Sequence, residues 1–216
     1  MQIDFGFTDK NIAQYFTPNF VTSEVLTSKE KLYAKGFSHK RLCHFSTGRH
    51  CAKKVIENLN VADNEILIGS DNVPVWPKGI VGSISHTNGM VGAVAAKSSE
   101  LLSIGMDIEE IGRVKGNMWD MLYTPAEQKY LYQLPEKEKA LYTTLLFSMK
   151  ESFYKLQYPL TQNKLWFTDV QISKKDENFS LQVLIDFEGK ELLKNSTKLH
   201  FAVFNNYVIS LCFIES

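Results

Sequence analysis

Apolar residues alternate with small or polar ones in six stretches of this 216-residue chain, and each alternation predicts a strand. Residues 80–85 (IVGSIS) and 90–96 (MVGAVAA) flank Thr87-Asn88-Gly89, and Asn-Gly between apolar runs predicts a hairpin. The run LLSIGMDIE (101–109) predicts a third strand beside that hairpin. Residues 181–187, 198–204 and 207–213 alternate again, the last two joined across Asn205-Asn206. In VPVWPKG (73–79), Pro74 and Pro77 exclude a regular central strand.

Elsewhere the pattern is helical. Residues 41–59 predict a helix with a basic face, interrupted near Gly48. Thr124-Pro125-Ala126-Glu127 has the form of a helix start, with a Thr cap, Pro at the first helical position and Glu at the third. A second helix is predicted between Pro135 and Pro159, carrying Leu141, Leu145, Met149 and Phe153 on one stripe. Short links between neighbouring strands favour antiparallel pairing. The expected class is therefore α+β, helices packed on antiparallel sheets.

Composition narrows the options. The chain is 44% hydrophobic and 22% charged, long enough to bury a core as one large domain or two small ones. Lysine plus arginine equals aspartate plus glutamate, so net charge points to neither a nucleic acid nor a membrane, and an anion site has to come from local clustering. No apolar run approaches the roughly 18 residues of a membrane span, and the N-terminus lacks the basic start and long apolar run of a signal peptide. Cys43, Cys51 and Cys212 form no CxxC pair and are odd in number, which predicts a reduced, cytoplasmic protein.

The candidate chemistry begins at SIGMDIEEIG (103–112). Residues two apart in a strand share a face, roughly 6.6 Å apart, so Asp107 and Glu109 lie together opposite Ile104, Met106 and Ile108. Two readings account for that pair: a solvated face with lysine or arginine nearby, or a bound cation. In FSMKESFYKLQYP (147–159), Glu151 and Lys155 stand four apart, as a helix ion pair worth about 0.3–0.5 kcal/mol would. Lys150 beside them reads equally as a solvated lysine. His86 ends the first hairpin strand after Ser83 and Ser85, where a satisfied polar histidine is the ordinary finding. The basic helix holds Arg41, Arg49, His50, Lys53 and Lys54; the planar forks of Arg41 and Arg49 suit a phosphate if they converge.

Taken in order, GRHCAKKVI, VPVWPKGIVGSISH, GMDIE and FSMKESFYK resemble the 4′-phosphopantetheinyl transferases. The similarity is to the larger, monomeric surfactin-type enzymes, and among them to the enterobactin-synthetase-associated branch; it runs from about Arg41 to Pro159. The resemblance implies two similar α+β halves in a pseudo-twofold arrangement, divided near residue 105 into 1–105 and 106–216, with coenzyme A between them. It implies Mg²⁺-dependent transfer of phosphopantetheine from coenzyme A to a serine of an acyl or peptidyl carrier protein, with release of 3′,5′-ADP. Asp107, Glu109 and Glu151 match the metal ligands, and Mn²⁺ would accept the same oxygen donors. Lys155 matches a pyrophosphate contact, and Lys150 a contact to the phosphate region or the carrier serine. Ser85 and His86 match coenzyme A contacts, Arg41 and Arg49 basic residues around the 3′-phosphate, and segment 69–76 an adenine contact. Glu151 is the candidate base, directly or through a bound water. Relatives often carry a basic residue just before the proline matching Pro74; Asn72 and Val73 stand there, and Lys78 is the substitute at hand. Met118, Trp119, Met121 and Leu122 fall in the region implied to dock the carrier. Two rival readings use the same residues: a metal-dependent hydrolase of the coenzyme A pyrophosphate, and a non-catalytic module binding coenzyme A or carriers.

Overall fold

The computed structural model describes residues 12–62, 65–176 and 178–216. Most of the N-terminal segment inspected for a signal peptide lies outside them. In chain order the first part forms β1 (Ala13–Thr17), α1 (Ser28–Tyr33), α2 (His39–Asn58), β2 (Leu67–Ile68), β3 (Pro74–Val75), β4 (Ile80–Thr87) and β5 (Met90–Lys97). The second part forms β6 (Leu101–Glu110), α3 (Trp119–Leu122), α4 (Pro125–Gln133) and α5 (Glu136–Thr161). It ends with β7 (Val170–Lys175), β8 (Asn178–Val183), α6 (Lys190–Ser196), β9 (Lys198–Phe204) and β10 (Tyr207–Glu215).

Two three-stranded antiparallel sheets result, in spatial order β1-β5-β4 and β6-β10-β9. One chain path builds both: an outer strand, a long helix, a short two-stranded ribbon, then a hairpin whose last strand takes the middle of the sheet. The path starts again at Leu101. Residue 105, the expected division, lies inside β6, so the turn between β5 and β6 separates the two paths instead.

Alternation along the central strands makes the layers. Met90, Val94 and Ala96 of β5 join Ile104, Met106 and Ile108 of β6 and Ile209, Leu211 and Phe213 of β10 in one apolar cluster. The intervening Val91, Ala93 and Ala95 pack on Cys51, Ala52, Val55 and Ile56 of α2. Val208, Cys212 and Ile214 likewise meet Leu145, Met149 and Phe153 of α5, with Leu141 packed against them. Each long helix thus covers one sheet's outer face.

Where β4 meets β6, serine side chains take the place of a backbone ladder. Ser83 Oγ accepts from Met106 N at 3.0 Å, and Ser85 Oγ accepts from Ile108 N at 3.3 Å. Equal steps in the same sense mean that the two strands run parallel along this seam. On its other face β6 lies tight against α5: a Cβ on Gly105 would stand 1.9 Å from the Ser152 carbonyl oxygen. Ser103 Oγ donates to the Leu156 carbonyl at 2.7 Å beside it.

Local signals hold at the α4 start, where Thr124 and Glu127 form the expected capping box and Pro125 opens the helix. Three expectations are corrected. The α2 helix is unbroken at Gly48, whose missing side chain admits Ile84 instead. The α5 helix runs past Pro159 to Thr161, closed by Gln162 in the left-handed region. Strand β8 stops at Val183, and the apolar Leu184 and Ile185 beyond it are exposed.

Candidate functional site

Two helix faces wall a cleft of about 960 Å³. From α2 come Arg41, His44, Phe45, Gly48 and Arg49, spaced three, four, seven and eight apart as one helical face requires. From α5 come Glu151, Tyr154, Lys155 and Tyr158 with the same spacing. Asp71, Asn72, Val73, Pro74 and Trp76 line another side. A second space of about 510 Å³ shares Lys40, His44, His86 and Lys155 with the first and adds Ser85, Asp107, Glu109 and Arg113.

The face of β6 that carries the acids is buried: Asp107 is 3% and Glu109 7% exposed. Cations are near, as the first reading of the pair required, but solvent is not. Asp107 Oδ1 accepts from Lys155 Nζ at 2.8 Å and from Ser85 Oγ at 2.9 Å. Lys155 also reaches Ser85 Oγ at 3.0 Å and the Met106 carbonyl at 3.1 Å. Asp107 Oδ2 is buried with no hydrogen bond. Arg113 Nη1 lies 3.1 Å from Glu109 Oε2 as an ion pair, without the alignment of a hydrogen bond. Burial, and then the Asp107 charge, pushes Glu109 up to about 7. Burial also raises Glu151, with Lys155 opposing and Asp107 adding.

Among the described residues, no three acid, histidine or cysteine side chains stand as a ready-made cation cluster. The Asp107 charge adds to the rise at both Glu109 and Glu151, but the three acids do not converge as the resemblance implied. The donor set nevertheless fits a hard divalent cation. Two buried carboxylate oxygens lack hydrogen bonds, and oxygen donors of this kind are what Mg²⁺ takes.

The basic end of the cleft is held by aromatic rings. Arg41 lies over Phe37 at 3.9 Å and Arg49 over Phe45 at 4.5 Å. Arg49 is 4% exposed and donates through Nε to the Ile66 carbonyl at 2.8 Å; burial pulls it down to about 10. His50, Lys53 and Lys54 of α2 turn elsewhere: Lys53 pairs with Glu30, Lys54 with Glu57, and His50 meets Tyr15.

Lys150 is a correction. One residue from Glu151 is a 100° turn round the helix, and that places Lys150 with the buried Leu146, Phe153 and Gln157. Its ammonium donates to Glu127 Oε2 at 2.6 Å and to the Leu122 and Phe167 carbonyls at 2.9 and 2.8 Å. All three of its donors are used away from the cleft. Lys78 is exposed and outside the cleft lining, so it does not replace the basic residue expected before Pro74. Ser85 does line the smaller space, with its hydroxyl committed to Asp107, Lys155 and the seam. His44, Arg113, Tyr154 and Tyr158 also line these spaces, and no motif in the sequence singled them out. For His44, Tyr154 and Tyr158 the signal was present, three or four residues from Arg41, Glu151 and Lys155 on the same helical faces.

The 4′-phosphopantetheinyl transferase N-terminal domain profile matches residues 29–96, and the superfamily profile matches residues 103–212, on either side of the turn between the two chain paths. The 4′-phosphopantetheinyl transferase Svp of Streptomyces mobaraensis is 35% identical over 135 residues, covering 62% of this chain and 55% of that one. The chain thus spans little more than half of that relative's length. The 4′-phosphopantetheinyl transferase PptT of Mycobacterium tuberculosis is 34% identical over 155 residues, 68% of this chain and 67% of that one. Enterobactin synthase component D of Escherichia coli (strain K12) is 34% identical over 147 residues, 67% of this chain and 64% of that one. With a profile match over half its length and these relatives, the chain belongs to the 4′-phosphopantetheinyl transferase superfamily.

Proposed function

We propose that this protein transfers the 4′-phosphopantetheine moiety of coenzyme A to a serine hydroxyl of an acyl or peptidyl carrier protein, releasing 3′,5′-ADP. The observation that carries the reading is a pair of neighbouring spaces that share Lys40, His44, His86 and Lys155, one lined by Arg41 and Arg49 and the other by Asp107 and Glu109. Arg41 and Arg49 provide a cationic end that suits the 3′-phosphate, and the segment 71–76 offers a wall for the adenine. Lys155 and His86 line both spaces, placed for the pyrophosphate. Asp107, Glu109 and Glu151 would hold Mg²⁺. When bound, the ion polarises the phosphoryl oxygens and offsets the charge that develops on the leaving group.

The carrier serine is protonated near neutral pH and needs a base. Glu151 lines the cleft, and its burial raises its affinity for a proton. It therefore takes the serine proton more readily than a solvated carboxylate would. Lys155 pairs with Asp107 in the free protein and turns its charge to the pyrophosphate when substrate arrives. Of the four residues expected at the carrier surface, Met121 is 63% exposed and Leu122 is buried. Met121 is thus the member of that group placed to meet a carrier, and methionine adapts to varied partners.

The test is mass spectrometry of an apo-carrier protein incubated with this protein, coenzyme A and Mg²⁺. The expected result is a carrier heavier by one phosphopantetheinyl group, lost when its serine is replaced by alanine. Free phosphopantetheine with an unmodified carrier would instead make the protein a hydrolase. Coenzyme A binding without turnover on any carrier type would make it a binding module.

A further inference from the structure

We infer that His44 is a positioning residue that fixes His86 as the ring tautomer presenting Nε2–H to the anionic substrate. The inference rests on the reading above, that the pyrophosphate of coenzyme A occupies the two spaces. His44 and His86 both line the two spaces. Their Nδ1 atoms lie 3.1 Å apart, with ring centroids at 4.5 Å and planes at 62°. His44 is steadied from its other side by Phe20, whose ring centroid is 5.2 Å away. Two imidazoles joined through Nδ1 must be opposite tautomers: the donor carries Nδ1–H and a bare Nε2, the acceptor a bare Nδ1 and Nε2–H.

The surroundings of both rings favour the neutral form, in which the bond fixes opposite tautomers. Burial, then His44 and Lys155, pulls His86 down to about 4, and burial with Lys40 lowers His44. Lys40, Lys155 and Arg113 line the smaller space with the two histidines, while Asp107 and Glu109 stand on its acidic side. An oxyanion placed there repels a bare ring nitrogen and attracts an N–H. Substrate therefore selects the pair in which His44 Nδ1 donates and His86 keeps Nε2–H. A lone neutral His86 would divide between both tautomers and offer the donor only part of the time.

The test uses the full chain with ¹⁵N-labelled histidine and two variants. His44→Phe keeps an aromatic ring against Phe20 but has no N–H, and His44→Gln restores a donor. The imidazole ¹⁵N shifts of the wild type with coenzyme A bound should show His86 as the Nε2–H tautomer, and in ligand-free His44→Phe its two nitrogens should average. Calorimetry should find coenzyme A binding weaker by about two- to tenfold in His44→Phe, the range of one net hydrogen bond, and largely recovered in His44→Gln. Thermal unfolding of both variants separates this from a folding defect; if His44→Phe does not fold, His44→Ala takes its place. An Nδ1–H tautomer at His86 in the coenzyme A complex of the wild type, or unchanged shifts and affinity in His44→Phe, would overturn the inference. If the wild type fails to bind coenzyme A, the functional reading falls, while opposite tautomers at His44 and His86 in the ligand-free spectrum still judge the pair.

Discussion

Glu109 has one oxygen beside Arg113 and no hydrogen bond to it, and this has a measurable consequence in the metal-free protein. Its folded pKa of about 7 stands above the ordinary 4.5, so between those values the native state holds a proton that the unfolded chain has released. The stability this allows is complete below about 4.5 and is lost as pH rises through about 7. Glu109→Gln should abolish that part of the slope, leaving the variant more stable than the wild type at pH 8 and similar at pH 4; urea unfolding at both pH values checks it. Lys150 carries a second prediction. Lys150→Met strands the Glu127 carboxylate in the interior, and breaking a buried pair costs about 3–5 kcal/mol. A variant with wild-type stability would contradict the buried pair. The chemistry of Asp107, Glu109, Glu151 and Lys155 was legible as residue types at set spacings. The location of Lys150 was not, because neighbours in sequence are not neighbours on a helix.

Among the elements, the approach of α5 to β6 aligns Glu151 and Lys155 with Asp107, and Gly105 permits it. Gly105→Ala would drive a methyl group into the Ser152 carbonyl and push the helix off the strand. Overpacking of this kind typically costs about 1–3 kcal/mol. Here the displaced helix also carries Glu151, Tyr154, Lys155 and Tyr158 of the site, so coenzyme A affinity should fall along with the urea midpoint; an unchanged affinity would show that α5 does not set the site's alignment. The hairpin 80–97, β6 and the C-terminal pair were readable from strict alternation and Asn-containing turns. β1 was not, since Ala13-Gln14-Tyr15 is half-buried at a sheet edge and carries no clear period. The run 181–187 misled in the opposite sense: Leu184 and Ile185 are apolar but, among the described residues, no strand pairs with them and both are exposed.

At the scale of the whole molecule, the repeated path was invisible in the sequence because connectivity repeats while residues do not. The α2 face that turns to the cleft is basic and aromatic, the α5 face carries one acid, one lysine and two tyrosines, and their common spacing alone betrays a shared geometry. The same repeat means that the backbone passes from one sheet to the other once, in the turn between Lys97 and Leu101, while serine side chains and the shared apolar cluster hold the rest of the boundary. Cleaving that turn should leave two chains that each retain a full strand–helix–hairpin path and reassemble when mixed. Joining them would then be a bimolecular event, so the nicked protein should bind coenzyme A at high fragment concentration and lose it on dilution, where the intact chain does not. Calorimetry over a dilution series reads this directly, and binding independent of dilution would mean that the fragments remain locked together. In such a protein the strength of the serine seam would become a dissociation constant, and the site at its edge a reporter of concentration.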